Sequence, residues 1–351
     1  MAEKLSMRLQ CPVPKMDFDV IQLGHGSGGL MTHRLLKSGV FEVLQNEFLR
    51  EEHDGSIVDL TGKTAITTDS FVVSPVFFPG GNIGDLAING TVNDLAMCGA
   101  KPQYLTLACI LEEGFALEDY WEILLTIREA GKAAGVQIVT GDTKVVEKGK
   151  GDGIFINTTG IGLVHPQADI SVSKIRAGDV VVVSGLVASH GMAILSVREG
   201  LEFETTLKSD TAPVHDMVWA LLDQFGPEIR FLRDPTRGGL ASTLNEAASQ
   251  RKIGIQLEQN SIPMLDEVEG ACELLGMDPL YVANEGIFIA IVAPEIADQT
   301  VAKLCQFPQG KHASIIGRVV NNHPGQVVLN SSIGGKRVVA MLAGEQLPRI
   351  C

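Results

Sequence analysis

DLAINGTVNDLAMCGAKP, Asp85 to Pro102, is the stretch on which the reading of the fold turns. From Asp85 to Cys98 it reads as a helix, with Leu86, Val92, Leu95 and Ala96 available for burial, Gly99 as the C-terminal stop and Pro102 just beyond. Asp85, Asn89 and Asn93 recur at helical spacing and so share one polar face, with Asp94 beside them.

Upstream, strand-like runs are expected at Val20–Leu23, Ala65–Thr68 and Phe71–Val73, where polar and apolar residues alternate as in a half-buried sheet. Downstream, a helix over Leu117–Ala134 closes at Gly135, and a strand over Val136–Val139 ends in Gly141-Asp142-Thr143-Lys144. The polar connection from His165 to Gly178 reads as a domain boundary. Beyond it, Asp179–Val183 forms a strand that turns through Gly185 and Ser189-His190-Gly191 into a helix over Met192–Arg198. Further strands are expected at Ile253–Leu257, Gly286–Val292, Ser314–Val319 and Gln326–Leu329. At 351 residues the chain exceeds what one core usually supports, so two domains of α+β character (α/β layers) are expected. The division is an irregular extension over 1–16, a first domain over 17–168, a second over 169–340 and a tail over 341–351.

A formal charge of −14 would repel a phosphate backbone, which argues against nucleic acid as a partner. The longest apolar stretch, Val180–Val183 and on to Ala188, is broken by Ser184 and Gly185 and is too short to span a bilayer. The first residues contain no apolar run of signal-peptide kind, so a cytoplasmic protein without membrane attachment is expected. The six cysteines form no C-x-x-C pair and the eight histidines no H-E-x-x-H, which argues against zinc and against a disulfide framework.

Several clusters carry chemistry. Gly24-His25-Gly26-Ser27-Gly28-Gly29 formally contains G-x-G-x-x-G, but lacks the context of a dinucleotide fold. It suits a flap whose bare N–H groups approach phosphate oxygens, the plain alternative being a surface loop. Asp69, Asp94 and Asp234 stand at abrupt ends of expected elements, and Asp142 lies in GDTK. Dispersed carboxylates suit magnesium held jointly with substrate phosphates; individually, each also suits a cap or a turn. Lys144 is placed to neutralise a phosphoryl group, or to be a solvated surface lysine. Glu285 precedes an apolar strand and is a candidate base near the surface or a cleft, while His25 and His190 are candidate contacts to nucleotide or substrate. The chain runs out on Leu347-Pro348-Arg349-Ile350-Cys351, a thiol on a tip that Gly344 would let swing.

Together HGSGG, TTDS, GTVNDLAMCGAKP, GDTKV, DPTRGG, ANEG and the final PRIC resemble the hydrogenase-maturation carbamoyl dehydratases, the HypE family, over about residue 17 to Cys351. The internal motifs mark the PurM-like superfamily of aminoimidazole ribonucleotide and selenophosphate synthetases and thiamine-monophosphate kinase; PRIC singles out the family. The resemblance implies a two-domain PurM-like architecture, with the first domain building a barrel-like homodimer interface. It implies that ATP and Mg2+ are bound, with Asp69, Asp94 and Asp234 on the metal and Gly26, Ser27, Gly28, Asn93, Asp142 and Thr143 around the nucleotide. Cys351 would receive a carbamoyl group from the carbamoyltransferase HypF, and the thiocarboxamide would be dehydrated to a thiocyanate whose cyano group passes, through a HypC–HypD complex, to the iron of a [NiFe]-hydrogenase. Lys144 would stabilise the phosphoryl charge or the amide oxygen, and Glu285 would take protons from the carboxamide nitrogen. Cys11 and Lys15 sit in the extension without the spacing of the essential pair in selenophosphate synthetases, and are read as incidental. Two other readings compete: a superfamily kinase or ligase acting on a free small molecule, and a carrier whose tail is only modified.

Overall fold

A computed structural model describes residues 18–51, 54–200, 207–342, 344 and 349–351. The expected extension with Cys11 and Lys15, together with Leu347 and Pro348 of the tail, lies outside the described residues. Two sheets organise the chain. The first has the order β1-β6-β4-β5, from Thr64–Phe71 (β1), Ala100–Glu112 (β4), Gln137–Val146 (β5) and Ile154–Val164 (β6). A two-stranded ribbon of Phe77–Phe78 (β2) and Gly81–Asn82 (β3) follows β1. A helix over Leu30–Leu35 (α1) precedes them, and Ile83–Met97 (α2) and Leu117–Ala134 (α3) pack together with the sheet. The chain is thus α+β with two layered units, as its composition and motifs anticipate.

α2 is buried on every side, as expected of a core helix rather than an amphipathic one. Asn82 caps it by accepting the Gly84 N–H at 2.7 Å, and Asp85 completes a capping box by accepting the Asn82 N–H at 3.0 Å. The helix therefore starts two residues before the expected position, and Asp85 serves its end. Gly90 allows the helix to lie on the sheet, because a Cβ there would press into the Phe71 ring.

The second sheet runs β13-β12-β9-β11-β7-β10-β8. Its strands are Val180–Val183 (β7), Ile229–Arg233 (β8), Gly254–Glu258 (β9), Ile289–Val292 (β10), Ser314–Val320 (β11), Val327–Asn330 (β12) and Lys336–Val339 (β13). All neighbours are antiparallel except β12 and β9. The four consecutive valines of β7 are explained by burial on both faces. Val181 and Val183 join a core with Ser189–Arg198 (α4), Gly239–Arg251 (α6) and Asp266–Leu275 (α7). Val180 and Val182 join another with His215–Phe225 (α5) and Ala297–Leu304 (α8). Among the described residues no helix is long and apolar enough to cross a membrane.

Several expected elements change. Val20–Leu23 contributes only a bridge from Val20 to Ala116, because Ile21 pairs with the Gly114–Phe115 turn and Leu23–Gly26 coils into a 3-10 turn. The two runs at Ala65–Thr68 and Phe71–Val73 are one strand up to Phe71, so Asp69 lies inside β1 rather than at an end. β5 likewise runs through Asp142, Thr143 and Lys144, paired in parallel with Ala108, Cys109 and Ile110 of β4.

Asn89 and Asn93, on the polar face of α2, meet the second unit. Asn93, fully buried, donates to the carbonyls of Ala212 (3.0 Å) and Glu285 (2.9 Å) and accepts the Val214 N–H (2.8 Å). The amide of Asn93, a residue expected near the nucleotide, is engaged in an interdomain clasp. Asn93→Ala would strand those backbone groups, so we predict a loss of about 3 kcal/mol in urea denaturation. A change below about 1 kcal/mol would show that the clasp contributes little.

Candidate functional site

The anticipated site residues fall into two groups. In the first, the glycine turn lies over the edge of β5, where a Cβ on Gly26 would meet the Val145 nitrogen at 2.6 Å. The turn is not bare. Ser27 N–H donates to the Gly24 carbonyl at 3.5 Å, and Gly28, at φ +79, donates to Thr32 Oγ1 at 2.9 Å. His25 is buried, and its Nδ1 accepts the Gln22 N–H of its own turn at 2.9 Å. Between turn and strand lies a cavity of about 230 Å³, apolar inside with Leu107, Ile138 and Phe41, and polar at Asp142, Thr143 and Lys144. Lys144 Nζ sits 3.0 Å from the Asp142 carboxylate, both largely exposed.

The second group gathers carboxylates from both sheets. Asp69 comes from β1, Asp94 from the last turn of α2, Asp234 from just after β8 and Glu285 from just before β10. Thr67 Oγ1 donates to Asp94 at 2.9 Å. Burial raises the pKa of all four, and mutual repulsion adds to it for Asp94, Asp234 and Glu285. Asp234 is pushed up to about 7 by burial and then by Asp94. Glu285 is lifted well above the carboxylate range by burial, then by Asp210, Asp234, Asp69 and Asp94. It is only 2 % exposed and its Oε1 has no hydrogen-bond partner, so of the two positions expected, surface or cleft, the surface one is excluded.

Strand register shows why Asp142 and Lys144 stay apart from the carboxylates. Ser70, Asn157, Ala108 and Asp142 form one rank across the first sheet, and Asp69, Thr158, Leu107 and Gly141 the next. Asp142 and Asp69 therefore point to opposite faces, three strand spacings or roughly 14 Å apart. Lys144 shares the Asp142 face, away from the carboxylates.

The tail joins the second group. Val72 N–H donates to the Cys351 carbonyl at 3.1 Å and Ser74 N–H to the Arg349 carbonyl at 3.2 Å, pairing the last residues antiparallel to the continuation of β1. Ile350 is buried in the first core with Ile194 and Ala283 of the second unit. Arg349 pairs with Asp152 at 2.7 Å, and Arg198 donates to the carbonyls of Ser74 and Arg349. The Cys351 thiol then faces Glu285, Asp69 and Asp234. Burial and then Glu285 raise its pKa, with Arg237 opposing, so the docked sulfur stays a thiol.

Two family models match: AIR synthase related protein, N-terminal domain, over residues 52–164, and C-terminal domain, over 176–330. Carbamoyl dehydratase HypE of Rhizobium leguminosarum bv. viciae is 48% identical over 332 residues, covering 94% of this chain and 95% of that protein. This chain belongs to the HypE family. A crystal structure of hydrogenase maturation protein HypE in complex with ATP superposes with a TM-score of 0.90 at 44% identity, over 94% of this chain and 99% of that one. A crystal structure of a HypE–HypF complex matches with a TM-score of 0.77 at 43% identity, over 89% and 99%. The HypE-family motifs thus map onto both clusters, whereas Ser209, Asp210 and Arg198 belong to none of them and emerge only from contacts distant in sequence.

Among the described residues no three His, Cys, Asp or Glu side chains stand ready as a metal cage. Yet Asp69, Asp94 and Asp234 repel one another under cover, and such hard oxygens suit a magnesium ion completed by phosphate.

A stability effect follows from Asp234. Its folded pKa near 7 exceeds the unfolded value near ~4, so the native state holds the extra proton between them and stability falls as pH rises through that window. Without divalent cations, Asp234→Asn should therefore melt higher than the parent at pH 8, the difference vanishing toward pH 4. Equal melting of the two proteins from acid to alkaline pH, followed by scanning fluorimetry, would overturn this.

Proposed function

We propose that this chain is an ATP-dependent carbamoyl dehydratase acting on its own Cys351, which supplies a cyano group for hydrogenase maturation. The observation that carries this reading is the docked tail, which sets the Cys351 thiol against Glu285 and the aspartate cluster. HypF is the expected carbamoyl donor, since a HypE relative is known in complex with it. A HypC–HypD complex is the expected acceptor on the way to the iron.

The chemistry follows from leaving-group ability. Oxygen leaves a thiocarboxamide poorly. Transfer of the ATP γ-phosphoryl group to that oxygen, with loss of one N–H proton, gives ADP and an S-bound imidate phosphate. Breaking its C–O bond with loss of the second N–H proton releases phosphate and leaves S–C≡N. Glu285 is suited to take these protons: its Oε1 is buried and unpartnered, and burial raises its affinity for a proton. Magnesium held by Asp69, Asp94 and Asp234 would neutralise phosphate charge. With those aspartates compensated, Glu285 loses three of the four carboxylates that repel it.

The cavity beside Gly26, Gly28, Asp142 and Thr143 is suited to the nucleoside part of ATP, with Ser27 in the same turn. In one chain, Lys144 faces away from the carboxylates. A homodimer formed through the open face of the first sheet, where Ile66 is 69% and Ile110 41% exposed, would give Lys144 a partner site to complete.

Intact-mass analysis of the protein, carbamoylated by HypF and then given Mg–ATP, should show the carbamoyl group on Cys351 and loss of one water only with ATP. Glu285→Gln should still bind Mg–ATP but form nitrile at least about 100-fold more slowly. Asp94→Asn should lose ATP hydrolysis. An unmodified Cys351 beside demonstrably active HypF would instead favour a kinase or ligase acting on a free small molecule.

A further inference from the structure

The pairing of the tail with Val72–Ser74 leaves the Ile350 carbonyl turned the other way. His190 Nε2 meets it at 2.7 Å, and His190 Nδ1 lies 2.8 Å from Ser209 Oγ. The imidazole is fully buried and held neutral, its pKa pushed down to about 4 mainly by burial. A neutral ring has one N–H, and the carbonyl needs a donor. Nε2 therefore donates to Ile350, and Nδ1 accepts from the Ser209 hydroxyl, which itself accepts the Thr211 N–H at 3.1 Å.

The next residue holds the other reactant. The Asp210 carboxylate accepts the Glu285 N–H at 3.3 Å and the Gly286 N–H at 3.0 Å. A Cβ on Gly286 would collide with the Asp210 carbonyl, so the two strands of chain lie as close as backbones can. The loop is moored to the first unit: Ser209 N–H donates to the Pro79 carbonyl at 2.8 Å, and Asn89 Nδ2 to Thr211 Oγ1 at 3.2 Å.

We propose that the Ser209–Thr211 loop is the positioning element of the dehydration step, holding the tail carbonyl through Ser209 and His190 and the Glu285 backbone through Asp210. The inference rests on the dehydratase reading above. One short loop then sets the distance between the modified sulfur and the base, the geometric requirement of a proton transfer from the carboxamide. His190, Ser209 and Asp210 are positioning residues and touch no reacting atom.

The test uses the full-length protein and three variants. His190→Phe keeps an aromatic ring against Phe78, which the imidazole meets edge-on at 5.6 Å, but removes the donor; His190→Gln restores a donor; Ser209→Ala frees the ring nitrogen. Two readouts are followed: iodoacetamide labelling mapped to the C-terminal peptide, and single-turnover water loss from carbamoylated protein. His190→Phe should label Cys351 about tenfold faster and dehydrate about tenfold more slowly, with ATP binding unchanged. His190→Gln should stay within about threefold of the parent, and Ser209→Ala should fall between. Parental labelling and parental water loss in His190→Phe would overturn the proposal. If that variant does not fold, parental values for Ser209→Ala would do the same. If the parent itself loses no water with Mg–ATP, the dehydratase reading fails, and the labelling comparison still judges the hold on the tail.

Discussion

Four carboxylates brought under cover from two sheets cannot all carry full charge, and much of this molecule is arranged around that constraint. Burial raises the proton affinity of Asp69, Asp94, Asp234 and Glu285, and repulsion from neighbouring carboxylates adds to it for the last three. Such a cluster persists only if the surrounding fold holds it there. The buried helix Ile83–Met97 does so, fastened to the second unit through Asn93, whose hydrogen bonds end on Ala212, Val214 and the backbone of Glu285 itself. The cluster therefore straddles a clasp and not an open cleft.

The same arrangement explains why the first sheet is used on both sides. Its covered face carries Asp69 toward the carboxylates, while its open face carries Asp142 and Lys144. Thr143, in register with buried Cys109, turns back toward the covered side, so Gly141-Asp142-Thr143-Lys144 alternates between the two faces. Apolar Ile66 and Ile110 are left uncovered on that open face.

Much of this was legible in the residues. The helix ending at Gly99, the valine strand buried on both faces and the motifs that mark the family all have local signatures. Other features have none. The strand through Gly141-Asp142-Thr143-Lys144 looks polar because it is an edge strand with one open face, so the pattern of a strand seems to stop at Val139. The sequence around Glu285 suits a surface or a cleft equally, and its burial follows from Gly286, which lets the Asp210 backbone close beside it. Asn93 and Asp94 are adjacent in sequence, but helical geometry sends one to a structural clasp and the other to the site. The role of Ser209 and Asp210 is invisible locally, since their partners stand as far away as Pro79 and Gly286.

The tail is held at one bridge, Ile350 against Val73, and Arg349 just before it takes a left-handed conformation at φ +52. Ile350 fills the hole between the units, which fixes where Cys351 stands one residue on. A slip of one residue would put sulfur in the hole and force Ile350, a β-branched residue, into the left-handed turn. Delivery of the carried group is thus addressed by one plug and one turn, a discrete setting rather than a matter of arm length.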